Sequence, residues 1–435
     1  MVLQPTAPSV RRIAGAGPGA FIRRIVEAST LLSIGVSLLL PSTPVSAQLP
    51  PDSVVRAMLQ SRVERFQGVG IVVGILDSDG TSRVVFAGSA GKDRPPLGPE
   101  SIFEIGSITK VFTGTLLADM ARKGEVSLTE PVRRYLPDGV GMPTRGNREI
   151  TFVDLATHRS GLPRLPINFH PASRTNPYVD YKVEHLYDFL SHYELERDIG
   201  SEFEYSNLGF GLLGHVLARA AGVSYETLVR ERILDPLGMA NTGIELTDEM
   251  SLRMMQGHDE RGRPVPFWVW TNSALAGAGA LRSSVVDMLH FLKANLGEPT
   301  SELEVAIRDA HAARPAPAVE GGEPPEPAAR PSIGLAWVIG STPRKLIMHD
   351  GGTGGFRSFI GFDPRRDVGV VVLSNSATSV VDIGLHLIDP TIPLAPMPGR
   401  WRPGWTVTLL LVGFGLGVLI LETSAKSRRT GGAAA

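Results

Sequence analysis

Phe103-Glu104-Ile105-Gly106-Ser107-Ile108-Thr109-Lys110-Val111-Phe112-Thr113-Gly114 is the stretch on which the reading of this chain turns. A serine stands three positions before a lysine at the mouth of an expected helix. Residues i and i+3 share a helix face, so the Ser107 hydroxyl and the Lys110 amine project together, with Val111, Leu116 and Leu117 anchoring the turns beyond. A free serine hydroxyl is a poor nucleophile until a neighbour takes its proton and dipoles stabilise the oxyanion formed on attack. The first turn of a helix offers part of the second requirement through its unpaired N–H groups and positive dipole end. Taken alone, the pair reads as a capping serine beside a solvated lysine, and the rest of the chain must choose.

The 435 residues can bury a substantial core, as one large domain or two intimately packed lobes. Lys+Arg is 43 and Asp+Glu is 44, a formal net charge of −1, and no long block of one sign stands in the central region. That removes the electrostatic signature of a nucleic-acid binder. Cysteine is absent, which excludes disulfides, a thiol nucleophile and a Cys-ligated zinc.

Residues 1–47 read as an export signal. Arg11, Arg12, Arg23 and Arg24 precede an apolar run from Ala28 to Leu40, and Val45-Ser46-Ala47 suits cleavage. An uncleaved N-terminal anchor is the alternative, against which the run is short for a bilayer span. Gly68 to Leu76 and Arg83 to Ala87 flank the turn cluster Asp77-Ser78-Asp79-Gly80 and predict a β-hairpin. The Ser107 helix should run to Lys123-Gly124, and Thr151-Phe152-Val153-Asp154 has capping-box form before a short helix ending near Ser160-Gly161-Leu162-Pro163. Helices are expected around 183–193, 206–221 and 224–235, and another from Ser284 towards Gly297.

Residues 310–332, rich in Pro, Ala, Gly and Glu, are expected to form an exposed, mobile loop inside the domain. Strand signals return at Leu335 to Ile339, Lys345 to Met348, Phe356 to Phe362 and Val368 to Leu373, before a closing helix near 378–388. Strands at both ends around a helical middle predict an α+β fold, one antiparallel sheet with a helical lobe inserted, over residues 48–389. A Pro-rich linker, residues 390–404, leads to the apolar stretch 405–421, which reads as a transmembrane helix followed by a short basic tail, residues 422–435, with Lys426, Arg428 and Arg429. Gly413 and Gly417 form a G-x-x-x-G pair that is either a helix-pairing face or ordinary membrane glycine.

Two more signals follow at long spacing: Tyr205-Ser206-Asn207 before a helix, and His349-Asp350-Gly351-Gly352 at an expected strand end. With the S-x-x-K, and in this order, they resemble the three-motif active site of the serine β-lactamase and penicillin-binding-protein superfamily, in the branch that holds class C β-lactamases, D,D-carboxypeptidases, D-aminopeptidases and related esterases. Leu155-Ala156-Thr157-His158-Arg159-Ser160-Gly161-Leu162-Pro163 and Gly279-Ala280-Leu281-Arg282-Ser283 resemble that branch too, so the likeness covers roughly residues 52–388.

The resemblance implies that Ser107 is the acylated nucleophile and that Lys110 and Tyr205 are the proton-transfer pair, with the choice of base left open. Lys110 must then deprotonate, or hold Tyr205 as a phenolate, through lowered pKa values. It implies that Asn207 orients a substrate amide, that His349 faces a substrate carboxylate or leaving group, and that the N–H groups of Ser107 and Gly352 form an oxyanion hole. The bare Gly351 and Gly352 fit a strand that substrate approaches closely. His349 stands where many β-lactamases carry lysine, which points towards D-amino-acid peptides rather than antibiotics. An imidazolium there would bind carboxylates below its ordinary pKa of ~6.5 and release them above it, whereas a neutral His349 donating one hydrogen bond would serve the same pocket without titrating. No metal or cofactor is implied, and the chain has no H-E-x-x-H. The expected partners are a small-molecule or peptide substrate and, through the C-terminal helix, the membrane, with the catalytic domain on the extracytoplasmic side and the oligomeric state open. An esterase of the same fold and a non-hydrolytic penicillin-binding sensor are the alternatives, the short tail arguing against the sensor.

Overall fold

The computed structural model describes residues 49–64, 69–314, 332–340 and 344–395. The expected leader, residues 396–404 of the linker, the apolar stretch 405–421 and the basic tail lie outside the described residues, as does most of the expected loop, residues 315–331. Among the described residues no helix is long and apolar enough to cross a membrane.

The apolar run after Gly70 forms β1 (Gly70–Leu76), which turns through Gly80 into β2 (Ser82–Gly88) in antiparallel register from Gly70↔Gly88 to Leu76↔Ser82. Every residue of β1 is buried. Val72 and Leu76 enter one core while Ile71, Val73 and Ile75 enter another, so the strand is covered on both faces and reads as a continuous apolar run.

Three short pairs join the middle of the chain: β3 (Phe103–Glu104) with β8 (Arg282–Ser283), β4 (Thr144–Arg145) with β5 (Arg148–Glu149), and β6 (Gly257–His258) with β7 (Pro264–Val265). The late strands β9 (Ser332–Ile333), β10 (Val338–Ile339), β11 (Ile347–Gly352), β12 (Arg357–Asp363) and β13 (Val368–Ser374) complete a seven-stranded sheet of order β2-β1-β13-β12-β11-β10-β9. Both chain ends therefore build it: β13 pairs with β1 from Ile71↔Ser374 to Leu76↔Gly369. The expected α+β architecture is observed. One detail differs, because His349 lies inside β11 rather than at its end: the ladder with β12 continues to Gly352↔Arg357.

The helices are α1 (Asp52–Val63), α2 (Thr109–Arg122), α3 (Phe152–Ala156), α4 (Val183–His192), α5 (Asn207–Ala221), α6 (Tyr225–Val229), α7 (Asp248–Arg253), α8 (Val285–Ala294), α9 (Glu302–His311) and α10 (Val381–Ile388). Helix α8 packs so closely on the sheet that a Cβ at Gly74 would lie 2.8 Å from Val285. On the opposite face α1 and α10 cover the second core, joined by an ion pair between Arg62 and Asp382. The expected caps are present: Thr151 and Asp154 form the reciprocal box of α3, Ser206 accepts from Gly209 N, and Ser284 accepts from Asp287 N. Helix α3 ends at Ala156, earlier than expected. Helices α1, α7 and α9 were not anticipated: α7 has only Met250 buried, and α9 is buried only through Leu303, Ala306, Ile307 and Ala310, its first half falling in a polar segment.

Candidate active site

Ser107 sits in a 3₁₀ turn, Gly106–Ile108, that leads directly into α2. Lys110 follows one turn later on the same face, its Nζ 3.1 Å from Ser107 Oγ. Gly106 enters this turn with φ +51°, and a Cβ there would lie 2.7 Å from the nitrogen of Gly352. The end of β11 is thus pressed against the nucleophile turn.

Packing within the protein itself requires a bare residue at Gly351. A Cβ at Gly351 would lie 2.0 Å from the Ile105 carbonyl and 2.3 Å from Ser358 Oγ, so the protein's own nucleophile segment occupies that space. At Gly352 the Cβ would meet the Arg357 guanidinium at 2.9 Å. Ser358 Oγ donates to Ile105 O at 2.8 Å and fixes the approach.

Lys110 is fully buried. Besides Ser107 it reaches Asn207 Oδ1 at 2.9 Å and the Ala278 carbonyl at 2.6 Å. Ala278 immediately precedes Gly279-Ala280-Leu281-Arg282-Ser283, so that stretch positions a lysine acceptor. Burial pushes the Lys110 amine well below its ordinary value and the nearby Arg164 cation lowers it further, while Asp350 opposes them. A neutral amine has two N–H groups and one lone pair. Asn207 Oδ1 and Ala278 O can only accept, so they take both hydrogens and leave the lone pair for the Ser107 O–H.

Tyr205 stands with its ring centroid 4.8 Å from Lys110 Nζ, near enough to Ser107 for the serine to act on its phenol. Burial drives the phenol pKa upward, with Asp350 adding to the rise and Ser107 and Arg164 opposing it. That direction favours the neutral phenol at Tyr205. His158, buried and held neutral, stacks at 4.5 Å from Tyr205 and accepts the Ser206 N–H through Nδ1 at 3.0 Å. It thereby fixes the Tyr205-Ser206-Asn207 segment. Asn207 Nδ2 donates to the Tyr178 hydroxyl at 3.3 Å, and Tyr178 stacks on Trp270 at 4.1 Å, forming an aromatic wall.

His349 is buried, with its ring 6.5 Å from that of Tyr205. Burial pushes its pKa down to about 3. Its Nδ1 lies 2.7 Å from the Asp350 carbonyl, an acceptor, so Nδ1 carries the proton and Nε2 presents a lone pair. The expected imidazolium is thus absent near neutral pH, and His349 offers a substrate carboxylate no donor through Nε2. Ser107, Lys110, Tyr205, Asn207, His349, Gly351 and Gly352 nevertheless converge as expected.

Sequence reasoning passed over Glu104, although it stands three residues before Ser107. Buried, it accepts the Thr353 hydroxyl at 2.6 Å and the Trp268 N–H at 2.5 Å, opposite Arg282 in the β3–β8 pair. Burial raises its pKa to about 7. Glu104 ties the segment before the nucleophile to the residue after Gly352. Arg164 and Asp350 were also missed, since isolated charges carry no spacing signal. Among the described residues no cluster of His, Asp or Glu is arranged to hold a metal.

The Beta-lactamase family model matches residues 55–387. The chain is 31% identical over 290 residues to the D-alanyl-D-alanine-carboxypeptidase/endopeptidase AmpH of Escherichia coli (strain K12), covering 64% of this chain and 72% of that protein. It is 27% identical over 354 residues to a beta-lactamase of Pseudomonas fluorescens, covering 74% and 92%. The class C beta lactamase structure from Rhodobacter sphaeroides superposes with a TM-score of 0.62 at 27% identity, covering 75% of this chain and 95% of that one. The beta-lactamase/D-alanine carboxypeptidase of Yersinia pestis, complexed with citrate, gives 0.61 at 26% identity over 77% and 97%. With a matching family model over most of its length and a nucleophile turn built as above, the chain belongs to the Beta-lactamase family and is a serine hydrolase.

Proposed function

We propose that this hydrolase cleaves amide bonds in D-amino-acid-containing peptides, and β-lactam rings as a related substrate, through an acyl-enzyme on Ser107. The observation that carries the mechanism is the buried Lys110 amine, its Nζ within hydrogen-bond reach of Ser107 Oγ and of two oxygens that can only accept, Asn207 Oδ1 and Ala278 O. The Ser107 proton passes to Lys110 as Oγ attacks the substrate carbonyl, and the N–H groups of Ser107 and Gly352 receive the oxyanion. The C–N bond then breaks. The leaving nitrogen takes its proton from the Tyr205 hydroxyl, which recovers one from Lys110, so the amine returns to its neutral state. Water attacks the ester by the same route and frees Ser107. Asn207 holds Lys110 and orients the substrate amide.

The peptide reading is supported by the carboxypeptidase/endopeptidase name of the Escherichia coli relative and by histidine in place of lysine at position 349. The export leader and the apolar stretch 405–421 support an enzyme held at the cell membrane with its catalytic region outside. A fluorescent penicillin or fluorophosphonate should label the protein at Ser107, and Ser107→Ala should abolish labelling while keeping the fold. Equal labelling of the alanine variant would refute the assignment. Lys110→Ala and Tyr205→Phe should each slow acylation by about 10²-fold or more.

A further inference from the structure

Two opposite charges at the Ser107 cleft form no ion pair among the described residues. Arg164 is exposed, its guanidinium carbon 5.1 Å from the Tyr205 ring centroid. Its backbone is fixed, because the Arg164 carbonyl accepts from Asn207 N at 3.0 Å and from Leu208 N at 3.2 Å. The Glu204 carboxylate, which accepts the Arg164 N–H at 3.2 Å, is paired with the Arg197 guanidinium rather than with that of Arg164.

Asp350 is the second charge. It lies on β11 between His349 and Gly351, where water reaches it. Arg357, the cation that acts on it most, directs Nη1 to the Thr353 and Phe356 carbonyls at 2.8 and 2.9 Å. Arg164 is tied through its backbone to Asn207 and Leu208 at the start of α5, whereas Asp350 lies on β11, a different element beside the Ser107 turn. They are separate poles.

An anion approaching β11 therefore meets the Nε2 lone pair of His349 and the Asp350 carboxylate, and both repel it. An anion approaching from the α5 side meets an uncommitted guanidinium, which suits a carboxylate. We propose that Arg164 and Asp350 set the charge polarity of the substrate, Arg164 drawing an anionic group to one side of the scissile bond and Asp350 excluding one, or accepting a cation, on the other.

The proposal rests on the peptidase reading and refines its substrate class. It is tested on the full-length protein in detergent at a pH on the activity plateau. One substrate pair is succinyl- and acetyl-D-alanyl p-nitroanilide. The other is acetyl-D-alanyl-D-alanine and its C-terminal amide. At one end the anionic member should have the higher kcat/KM by about tenfold, and at the other end the lower. Arg164→Gln should collapse the first ratio towards one while Arg164→Lys keeps most of it, and Asp350→Asn should relieve the second. Because ratios are read, a general loss of rate in a variant cancels from the comparison. Absence of either charge preference in the parent protein, or ratios unchanged by Arg164→Gln and Asp350→Asn, overturns the proposal. Turnover persisting in Ser107→Ala would instead overturn the nucleophile assignment, with the ratios still deciding the polarity.

Discussion

Lys110 owes its chemistry to where it is buried and to what surrounds it. The neutral amine is the reactive form, so kcat/KM for an uncharged ester should rise with pH through the depressed lysine pKa and level off well below the ordinary value for lysine. Arg164 lowers that pKa and Asp350 raises it, so Arg164→Gln should move the rising limb to higher pH and Asp350→Asn to lower pH. Coincident limbs in all three proteins would contradict this account. His349 makes the opposite kind of prediction. Already neutral above about pH 5, it should leave no inflection near pH 6.5 in KM for a carboxylated substrate. An inflection there that His349→Gln removes would restore the imidazolium. Ser107, Lys110, Tyr205, Asn207 and His349 were legible because each sits in a short motif. The charge state of His349 was not, because it depends on burial beneath residues distant in sequence.

At the scale of elements, the turn into α2 and the end of β11 form one unit. Gly106→Ala would hold alanine at φ +51° with its methyl against the Gly352 backbone. We expect a stability loss of about 2 kcal/mol or more from backbone strain and contact, and a fall in kcat of up to about 10²-fold if the Gly352 donor is displaced. Gly222→Ala, at φ +73° in the cap of α5 with open space around it, should cost about 1 kcal/mol and leave kcat unchanged. A thermal melt with kinetics on both variants checks the contrast, and equal effects on kcat would separate Gly106 from the site. Capping signals at Thr151, Ser206 and Ser284 made their helices readable in advance. Helix α1 was not, since Val55 and Leu59 are its only fully buried apolar side chains and its partner Asp382 lies more than 300 residues away.

For the whole molecule, the hairpin, the late strands and the helical middle were legible as blocks, while the sheet order was not, because pairing between distant strands leaves no local pattern. The proposed membrane arrangement has a direct test. Protease added to intact spheroplasts should cut the Pro-rich residues 390–404 and release a soluble, active fragment, and full protection of the catalytic region would reverse the proposed topology. The pairing of β1 with β13 also bears on how the protein is made. Ile71 pairs with Ala87 in the hairpin but finds its second partner only at Ser374, so β1 is synthesised long before the strand that covers its other edge. At ordinary elongation rates the roughly 300 intervening residues take about 15–60 s, during which an exposed apolar strand is open to mispairing. Nascent chains should therefore depend on holdase chaperones until the last strands emerge.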